Sequence, residues 1–407
     1  MSRKGQAGRK EGRVRSDCWV SVEPRGEGGV TVSVESIVAP MYGEAIERDA
    51  VDGLSRLGVE HAAVRVVDAG ALPFVLDARL EAAARRAIPD LEGELLPEAK
   101  PWSRYGTSRD RFRRSRLYLP GDQPKFMVNA GLHSPDGVIL DLEDSVAPSE
   151  KDAARYVVRN ALRAVDFKGA ERMVRINQLP EGLEDLDYIV PHNVHVILIP
   201  KCESPDDVAA VDERVVSILA DRGMKSPVYL MPIVESALGC WRAYEIASAS
   251  KNVVALTIGL EDYTADIGTQ RTNKGRESFW ARSQVVNAAR AARVQPIDTV
   301  FSDVSDMDGL LASVREAKSL GFDGKGCIHP RQIEVIHRGF APTEEELEKA
   351  KRIVQAFEKA ESEGLGVVSL GSKMIDPPVV KRAQRTVELA IASGILPENW
   401  REGGDDV

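Results

Sequence analysis

VYLMPIVES (228–236) and VVALTIGLED (253–262) are two short apolar runs that each stop on an acid, Glu235 in the first and Asp262 in the second. A helix-like stretch separates them. Apolar runs of this length, joined by a helix, suit neighbouring parallel strands covered on both faces. Two carboxylates at the carboxyl ends of such strands fit a hard divalent cation such as Mg²⁺, which can hold a small oxyacid and absorb charge as a bond breaks. The plainer reading makes them strand-end acids that cap the next helices. The residues alone leave both open.

Working outward, the same alternation runs through SRLYLPG (115–121), GVILDLED (137–144), RMVRINQL (172–179), HVILIPK (195–201), PIDTVFSD (296–303) and GKGCIHP (324–330). With the first two stretches these make eight strand candidates with helical connections. The expected fold class is therefore α/β, a TIM (β/α)8 barrel whose active site lies at the carboxyl ends of its strands. Those ends carry Glu143, Asp144, Arg175, Asn177, Lys201, Glu235, Asp262, Asp303 and His329. Lys201 reads as an anion-steering group or a barrel-end ion pair, and His329 as a structural hydrogen-bonder.

Before the barrel, DCWVSVEP (17–24) and GVTVSVES (29–36), joined by the Gly-rich EPRGEGG, read as a hairpin. YGEAIERDAVDGLSRLG has helical spacing and ends on Gly58. HAAVRVVDAG and ALPFVLDARL read as a second strand pair, with LDARLEAAARRA turning helical from Leu76. The predicted domains are a small α+β unit (1–90), a flexible Pro- and Gly-rich linker (91–112), the barrel (113–340) and a C-terminal helical lid or oligomerisation element (341–407). In the last, a helix over 341–361 is capped by Thr343 with Glu346 three residues on. Gly364, Gly366 and Gly371 would let the C-terminal element swing or swap.

The chain has 407 residues, is 43% apolar and 29% charged, and carries a formal net charge of −9. That composition points to a soluble enzyme and away from a nucleic-acid binder, which would present a basic face. One basic cluster, RDRFRRSR (109–116), reads as an anion attractor or a solvated flank. The four cysteines, Cys18, Cys202, Cys240 and Cys327, form no C-x-x-C pair and indicate a reducing compartment. The N-terminus lacks the apolar core of a secretory signal, and no run of about 18 apolar residues would span a membrane. A cytoplasmic location is expected.

RSRLYLPG, GVILDLEDSVAPSEKDAAR, VRIN, IPK, PIVESALG, LEDYTADIGTQRT, GFDGKGCIHPRQI and GLGVVSLGSKMIDPPV together resemble the HpcH/HpaI aldolase/citrate lyase family, which includes citrate lyase β subunits and the malyl-CoA and citramalyl-CoA lyases. SIVAPMYGEAI and VDAGALPFVLDARLEAAA resemble the citrate lyase γ subunit, an acyl carrier protein. The chain thus looks like a γ–β fusion.

The resemblance implies a retro-Claisen lyase that cleaves a citryl thioester to oxaloacetate and an acetyl thioester. Mg²⁺ would sit on Glu235 and Asp262, with Glu235 also beside the substrate. Arg175 would bind a substrate carboxylate and pair with the acids of DLED. Glu143 and Asp144 would orient Arg175 or move a proton. Arg114 aligns with a recurring family arginine and would touch the thioester carrier or serve structure. Asp376 would act as acid/base from the C-terminal element, reaching a neighbouring subunit's site in a homo-oligomer; its plainer role is a helix N-cap ahead of Pro377. The carrier's prosthetic group, 2'-(5''-triphosphoribosyl)-3'-dephospho-CoA, would hang on Ser16. Here the family's G-T-L-E-S-[GS]-D-like stretch reads G-R-V-R-S-D (12–17), and an alignment on the aspartate puts Arg15 at the modified position. A citrate lyase α subunit, as acyl transferase, and a prosthetic-group synthase are the implied partners. The alternatives are a lyase for free malyl-CoA or citramalyl-CoA, and a non-catalytic carrier or scaffold subunit.

Overall fold

The computed structural model describes residues 4–12, 14–362, 368–370 and 373–401. Gly364, Gly366 and Gly371, expected as hinges, lie outside the described residues. The chain divides into two compact units, 1–333 and 334–407.

The first unit begins with four strands: β1 (Gly5–Ala7), β2 (Cys18–Pro24), β3 (Val30–Ser36) and β4 (Ala62–Asp68), ordered β1-β2-β4-β3. β2 is antiparallel to β4 and β3 is parallel to it. The expected β2–β3 hairpin therefore does not form. The helix Ala39–Arg56 returns the chain from β3 to the start of β4, so the connection is a β-α-β crossover, and such a crossover makes the pair parallel. The second expected strand pair fails as well. ALPFVLDARL is helical from Pro73, and the helix Pro73–Ala87 buries Phe74, Val75 and Leu76 in succession. A helix buried on more than one face loses its 3.6-residue signature and imitates a strand.

That helix also carries two charged side chains with almost no exposure, Arg79 and Glu81. Arg79 donates to Asp17 Oδ1 (3.0 Å) and Oδ2 (2.9 Å), and to the carbonyl of Asp122 (2.7 Å). Glu81 accepts from Arg159 Nη2 at 2.6 Å, from the Leu95 amide at 2.8 Å and from Arg85 Nε at 3.1 Å. Asp122 and Arg159 belong to the barrel, so the small domain is docked on it through one buried ion pair, Glu81–Arg159, and a buried hydrogen bond from Arg79 to the Asp122 carbonyl.

The segment expected as a flexible tether is likewise pinned. Arg163 donates to the Pro97 carbonyl (2.7 Å), Trp102 to the Ala164 carbonyl (3.1 Å), and Arg172 to the carbonyls of Ser103 (2.6 Å) and Tyr105 (2.8 Å). Most of the basic cluster is spent on the same task. Arg111 donates to the Gly169 carbonyl, Arg113 makes a bidentate pair with Glu171, and Arg114 pairs with Asp136.

Eight parallel strands build the barrel: β5 (Ser115–Pro120), β6 (Gly137–Asp141), β7 (Glu171–Arg175), β8 (Val196–Ile199), β9 (Tyr229–Val234), β10 (Ala255–Ile258), β11 (Gln295–Asp298) and β12 (Gly324–Cys327). The barrel closes where β12 pairs with β5. Every strand lies within the stretch expected for it or within one residue of it. The interior is filled by alternate residues, among them Ile139, Met173, Val196, Leu198, Met231, Ile233, Ala255 and Ile297.

The second unit is a helical hairpin. Thr343 and Glu346 form the expected reciprocal cap at the start of the helix Glu344–Ser362. β13 (Val368–Leu370) and β14 (Lys373–Ile375) pair antiparallel, and the helix Pro377–Ala392 packs back through Val380, Ala383, Val387 and Ala390 onto Leu347, Ala350, Ile353 and Val354. Among the described residues no helix is long and apolar enough to cross a membrane.

Candidate active site

Strand alternation builds the site at the carboxyl ends of the barrel. The inward file of β9 is Tyr229, Met231 and Ile233, and its next member is Glu235. β6 contributes Asp141 and β7 contributes Arg175, which are register partners on adjacent strands. The inward file of β10, Ala255 and Thr257, continues to Gly259. There the absence of a side chain matters, because a Cβ would lie 2.4 Å from Glu235 Oε2. Asp262 does not end the strand as expected. It sits in the first turn of the short helix Leu260–Asp266 that follows β10. Gly259→Ala should push the Glu235 carboxylate aside and lower turnover about a hundredfold, the usual cost of a misplacement near 1 Å. Steady-state kinetics and a thermal melt on one preparation would check this, and unchanged turnover would show that Glu235 has slack.

Arg175, Tyr118, Asp141, Asp144, Glu235, Asp262 and Arg116 border one cavity of 310 Å³. Arg175 is held rigidly. Its Nε and Nη2 donate to the two oxygens of Asp141 at 2.7 Å each, and Nη1 lies 2.8 Å from Glu143 Oε2. Two of its five N–H groups stay available. Burial opposes its charge, but Asp141 and Glu143 outweigh burial and lift its pKa further. The ion pair with the DLED acids is therefore real, and its main member is Asp141. Sequence reasoning passed over Asp141 in favour of Glu143 and Asp144, although its place opposite Arg175 was the usable signal.

Glu143 is fully buried and saturated. Besides Arg175 it accepts from Gln178 Nε2 (3.0 Å) and meets Lys201 Nζ (3.2 Å). Asp144 differs: its side chain is 52% exposed and its near cation is Lys201, at 3.6 Å. Lys201 also lies 3.6 Å from Asp262 and has a left-handed backbone (φ 47°), from which its amide donates to Glu235 Oε1 at 2.7 Å. A non-glycine residue in that region is strained, and here the strain aims an amide at a site carboxylate. Burial works against the ammonium, but Glu143, Asp144 and Asp262 hold its pKa above the ordinary value.

Glu235 is 6% exposed, and its pKa is pushed up to about 7, first by burial and then by Asp262 and Glu143, against the Lys201 amide and Arg175. Around Arg175 and Lys201 stand five carboxylates, Asp141, Glu143, Asp144, Glu235 and Asp262. This excess of negative charge on hard oxygen donors fits a divalent cation. Among the described residues no cluster of three or more acid, His or Cys side chains makes an all-protein metal cage. Two carboxylates with remaining positions for water and substrate are the usual arrangement for Mg²⁺.

Other expected site residues lie elsewhere. Arg114 precedes β5, at the end of the barrel opposite the site, fixed to Asp136 by Nε (2.9 Å) and Nη2 (2.9 Å), so it is not brought to the cavity. Asn177 accepts from Lys151 Nζ (2.5 Å) and donates to Asp185 (2.9 Å). Asp303 closes a local turn with Ser305, and His329 accepts the Arg331 amide at 3.2 Å. In the second unit, Asp376 caps its helix by accepting the Val379 amide at 3.3 Å. Ser16 has a left-handed backbone (φ 53°) just before β2, and its amide donates to the Ala69 carbonyl. Its neighbours Arg15 and Asp17 share a 290 Å³ groove with Gln123, Pro124 and Lys125, which follow β5 on the catalytic side of the barrel.

The family model HpcH/HpaI aldolase/citrate lyase matches residues 114–330, the whole barrel. The chain belongs to the HpcH/HpaI aldolase/citrate lyase family. Its similar members are carbon–carbon lyases. The citrate lyase β subunit of Haemophilus influenzae is 42% identical over 291 residues, covering 71% of this chain and all of that one. Human mitochondrial citramalyl-CoA lyase is 32% identical over 322 residues, covering 76% of this chain and 95% of that one. A Mycobacterium tuberculosis CitE crystal structure with magnesium, acetoacetate and coenzyme A superposes with a TM-score of 0.57 at 30% identity, covering 70% of this chain and 99% of that one. Residues 5–87 match the acyl-carrier-type model of the malonate decarboxylase delta subunit (MdcD).

Proposed function

We propose that the barrel cleaves a 3-hydroxy-3-carboxyacyl thioester, a citryl thioester, to oxaloacetate and an acetyl thioester. The observation that carries the reading is the meeting of Glu235, Asp262 and a braced Arg175 in one cavity at the catalytic end of the barrel. The identity with citrate lyase β subunits supports the substrate class.

In this cleavage the hydroxyl loses its proton and the carbon–carbon bond breaks. The oxygen's electrons form the keto group of oxaloacetate, and the bond's electrons leave as a thioester enolate that must take up a proton. Glu235 and Asp262 would hold Mg²⁺, which when bound supplies Lewis-acid stabilisation of the developing keto acid. Arg175, unable to lose its proton, offers its remaining N–H groups to a substrate carboxylate. Asp141 and Glu143 fix that guanidinium and move no proton themselves. Asp144, exposed and bordering the cavity, is the proposed acceptor of the hydroxyl proton. Asp376 of a neighbouring copy is the proposed acid for the enolate carbon. Asp376→Ala and Glu235→Gln should each be nearly inactive alone and regain turnover when mixed, once subunit exchange is shown by a tag. No recovery after demonstrated mixing would return Asp376 to its role as helix cap.

The thioester is proposed to hang on Ser16, loaded by a separate acyl transferase subunit. A second reading, cleavage of free CoA thioesters, is favoured by the fixed docking of the small domain and by the altered stretch around Ser16. Intact mass of the full chain, made with and without a prosthetic-group synthase, separates the two. A mass gain lost in Ser16→Ala supports the carrier. No gain, with turnover of soluble citramalyl-CoA or malyl-CoA but not of a citryl thioester, sinks the main reading.

A further inference from the structure

The last arginine of the basic cluster, Arg116, is unlike the rest. Five arginines are among the largest side chains fully buried in the described residues: Arg79, Arg113, Arg116, Arg159 and Arg172. Arg79, Arg113 and Arg159 each hold a carboxylate, and Arg172 is satisfied by three backbone carbonyls. Arg116 has neither. Its Nη1 reaches Met231 Sδ at 3.1 Å and Thr257 Oγ1 at 3.3 Å, and its Nε is buried with no partner. Asp298, the acid whose charge supports it, is already engaged by Lys325 Nζ (2.7 Å) and by both sides of the Arg282 fork (3.1 and 3.0 Å).

Arg116 and Tyr118 are the inward members of β5, and the register partner of Arg116 on β12 is Gly326. Arg116 is among the residues that border the cavity shared by Glu235, Asp262 and Arg175. A buried guanidinium without an anion is costly in general, and an unsatisfied buried polar group calls for an explanation, of which a bound anion is one. The larger neighbouring cavity of 610 Å³ makes no such demand, because its basic groups Arg271, Arg282 and Lys325 are paired with Glu261, Asp298 and Glu316.

Resting on the lyase reading above, the substrate carries two carboxylates. One is bonded to the hydroxyl-bearing carbon and goes with the Glu235–Asp262 pair. The other ends the carboxymethyl arm, which citramalyl thioesters replace by methyl and malyl thioesters by hydrogen. We propose that Arg116 binds this second carboxylate and so selects the citryl thioester over its uncharged-arm analogues. Arg175 has its Nε and one N–H on each Nη committed to Asp141 and Glu143, whereas Arg116, with Nη1 on Met231 and Thr257, holds no carboxylate.

The test compares oxaloacetate with pyruvate, which lacks that carboxylate, by calorimetry on the full chain in Mg²⁺. Arg116→Met should lose about thirtyfold or more in oxaloacetate affinity, roughly 2 kcal/mol, with pyruvate affinity unchanged. In turnover, kcat/KM for a citryl thioester should fall while that for a citramalyl thioester holds or rises. Equal changes for both ligands, or none, overturn the proposal, as does a parent protein that binds oxaloacetate no better than pyruvate. Arg116→Lys, which keeps the charge and loses the fork, should fall between; if Arg116→Met does not fold, equal oxaloacetate and pyruvate losses in Arg116→Lys overturn the proposal. Because binding reads the carboxylate directly, a parent that prefers oxaloacetate yet fails to cleave citryl thioester rejects the lyase reading and leaves the anion site standing.

Discussion

Glu235→Gln and Asp262→Asn should each cut turnover at saturating Mg²⁺ by at least about a hundredfold, roughly 2.7 kcal/mol of lost transition-state stabilisation, without unfolding the barrel. Both are isosteric, and both groups face the cavity rather than the apolar interior. Turnover across a Mg²⁺ titration is the measurement, and near-normal rates at low Mg²⁺ would remove the metal assignment. Stability should move the other way for Glu235→Gln in chelator. The folded pKa of Glu235 is raised from 4.5 to about 7, so its protonated form fits the fold and its charged form does not. That contribution is complete below about pH 4.5 and is lost as pH rises through 7, about 3 kcal/mol at most by linkage. In denaturant unfolding without metal, the Gln variant should match the parent near pH 5 and exceed it near pH 8.5. Equal stability at both values would show that the carboxyl finds another partner.

Glu81→Ala should be the most destabilising single change away from the site. It leaves the Arg159 guanidinium, 1% exposed, with only Asn160, the Leu95 carbonyl and a distant Glu94 at 3.6 Å, and it strips the Leu95 amide of its acceptor. Breaking a buried pair from one side costs about 3–5 kcal/mol. Because the pair joins the small domain to the helix Lys151–Ala164, limited proteolysis should open the segment 91–112 at the same time. A loss under about 1 kcal/mol, with the segment still protected, would show that the apolar face of the helix Pro73–Ala87 holds the dock alone.

The barrel was legible because most of its strands hold short apolar runs that end on polar residues, a pattern that survives without knowledge of neighbours. The meeting of Glu235 and Arg175 in one cavity was legible for the same reason, since strand ends point at that face; Asp262 joins them from the first turn of the helix after its strand. What escaped depended on partners far along the chain. Phe74, Val75 and Leu76 look like a strand until Arg159 and Asn160 are known to cover the helix that holds them. The segment 91–112 reads as a tether until its carbonyls are seen to serve Arg163 and Arg172. Arg116 was visible as a charge at an alternate position of SRLYLP, but only the closed barrel shows that no acid answers it.

The docked small domain reverses an ordinary division of labour. A carrier on a loose tether commutes between enzymes, and its chemistry is timed by how often it arrives. Here the loop bearing Ser16 is held beside Gln123–Lys125 by the Arg79–Asp17 and Arg79–Asp122 contacts, so its point of departure is stationary. If Ser16 carries the arm proposed above, an enzyme that charges it would have to come to that rim and leave again before the barrel could act. Traffic through the complex would then be limited by the visitor's residence time and not by the length of the chain between the domains.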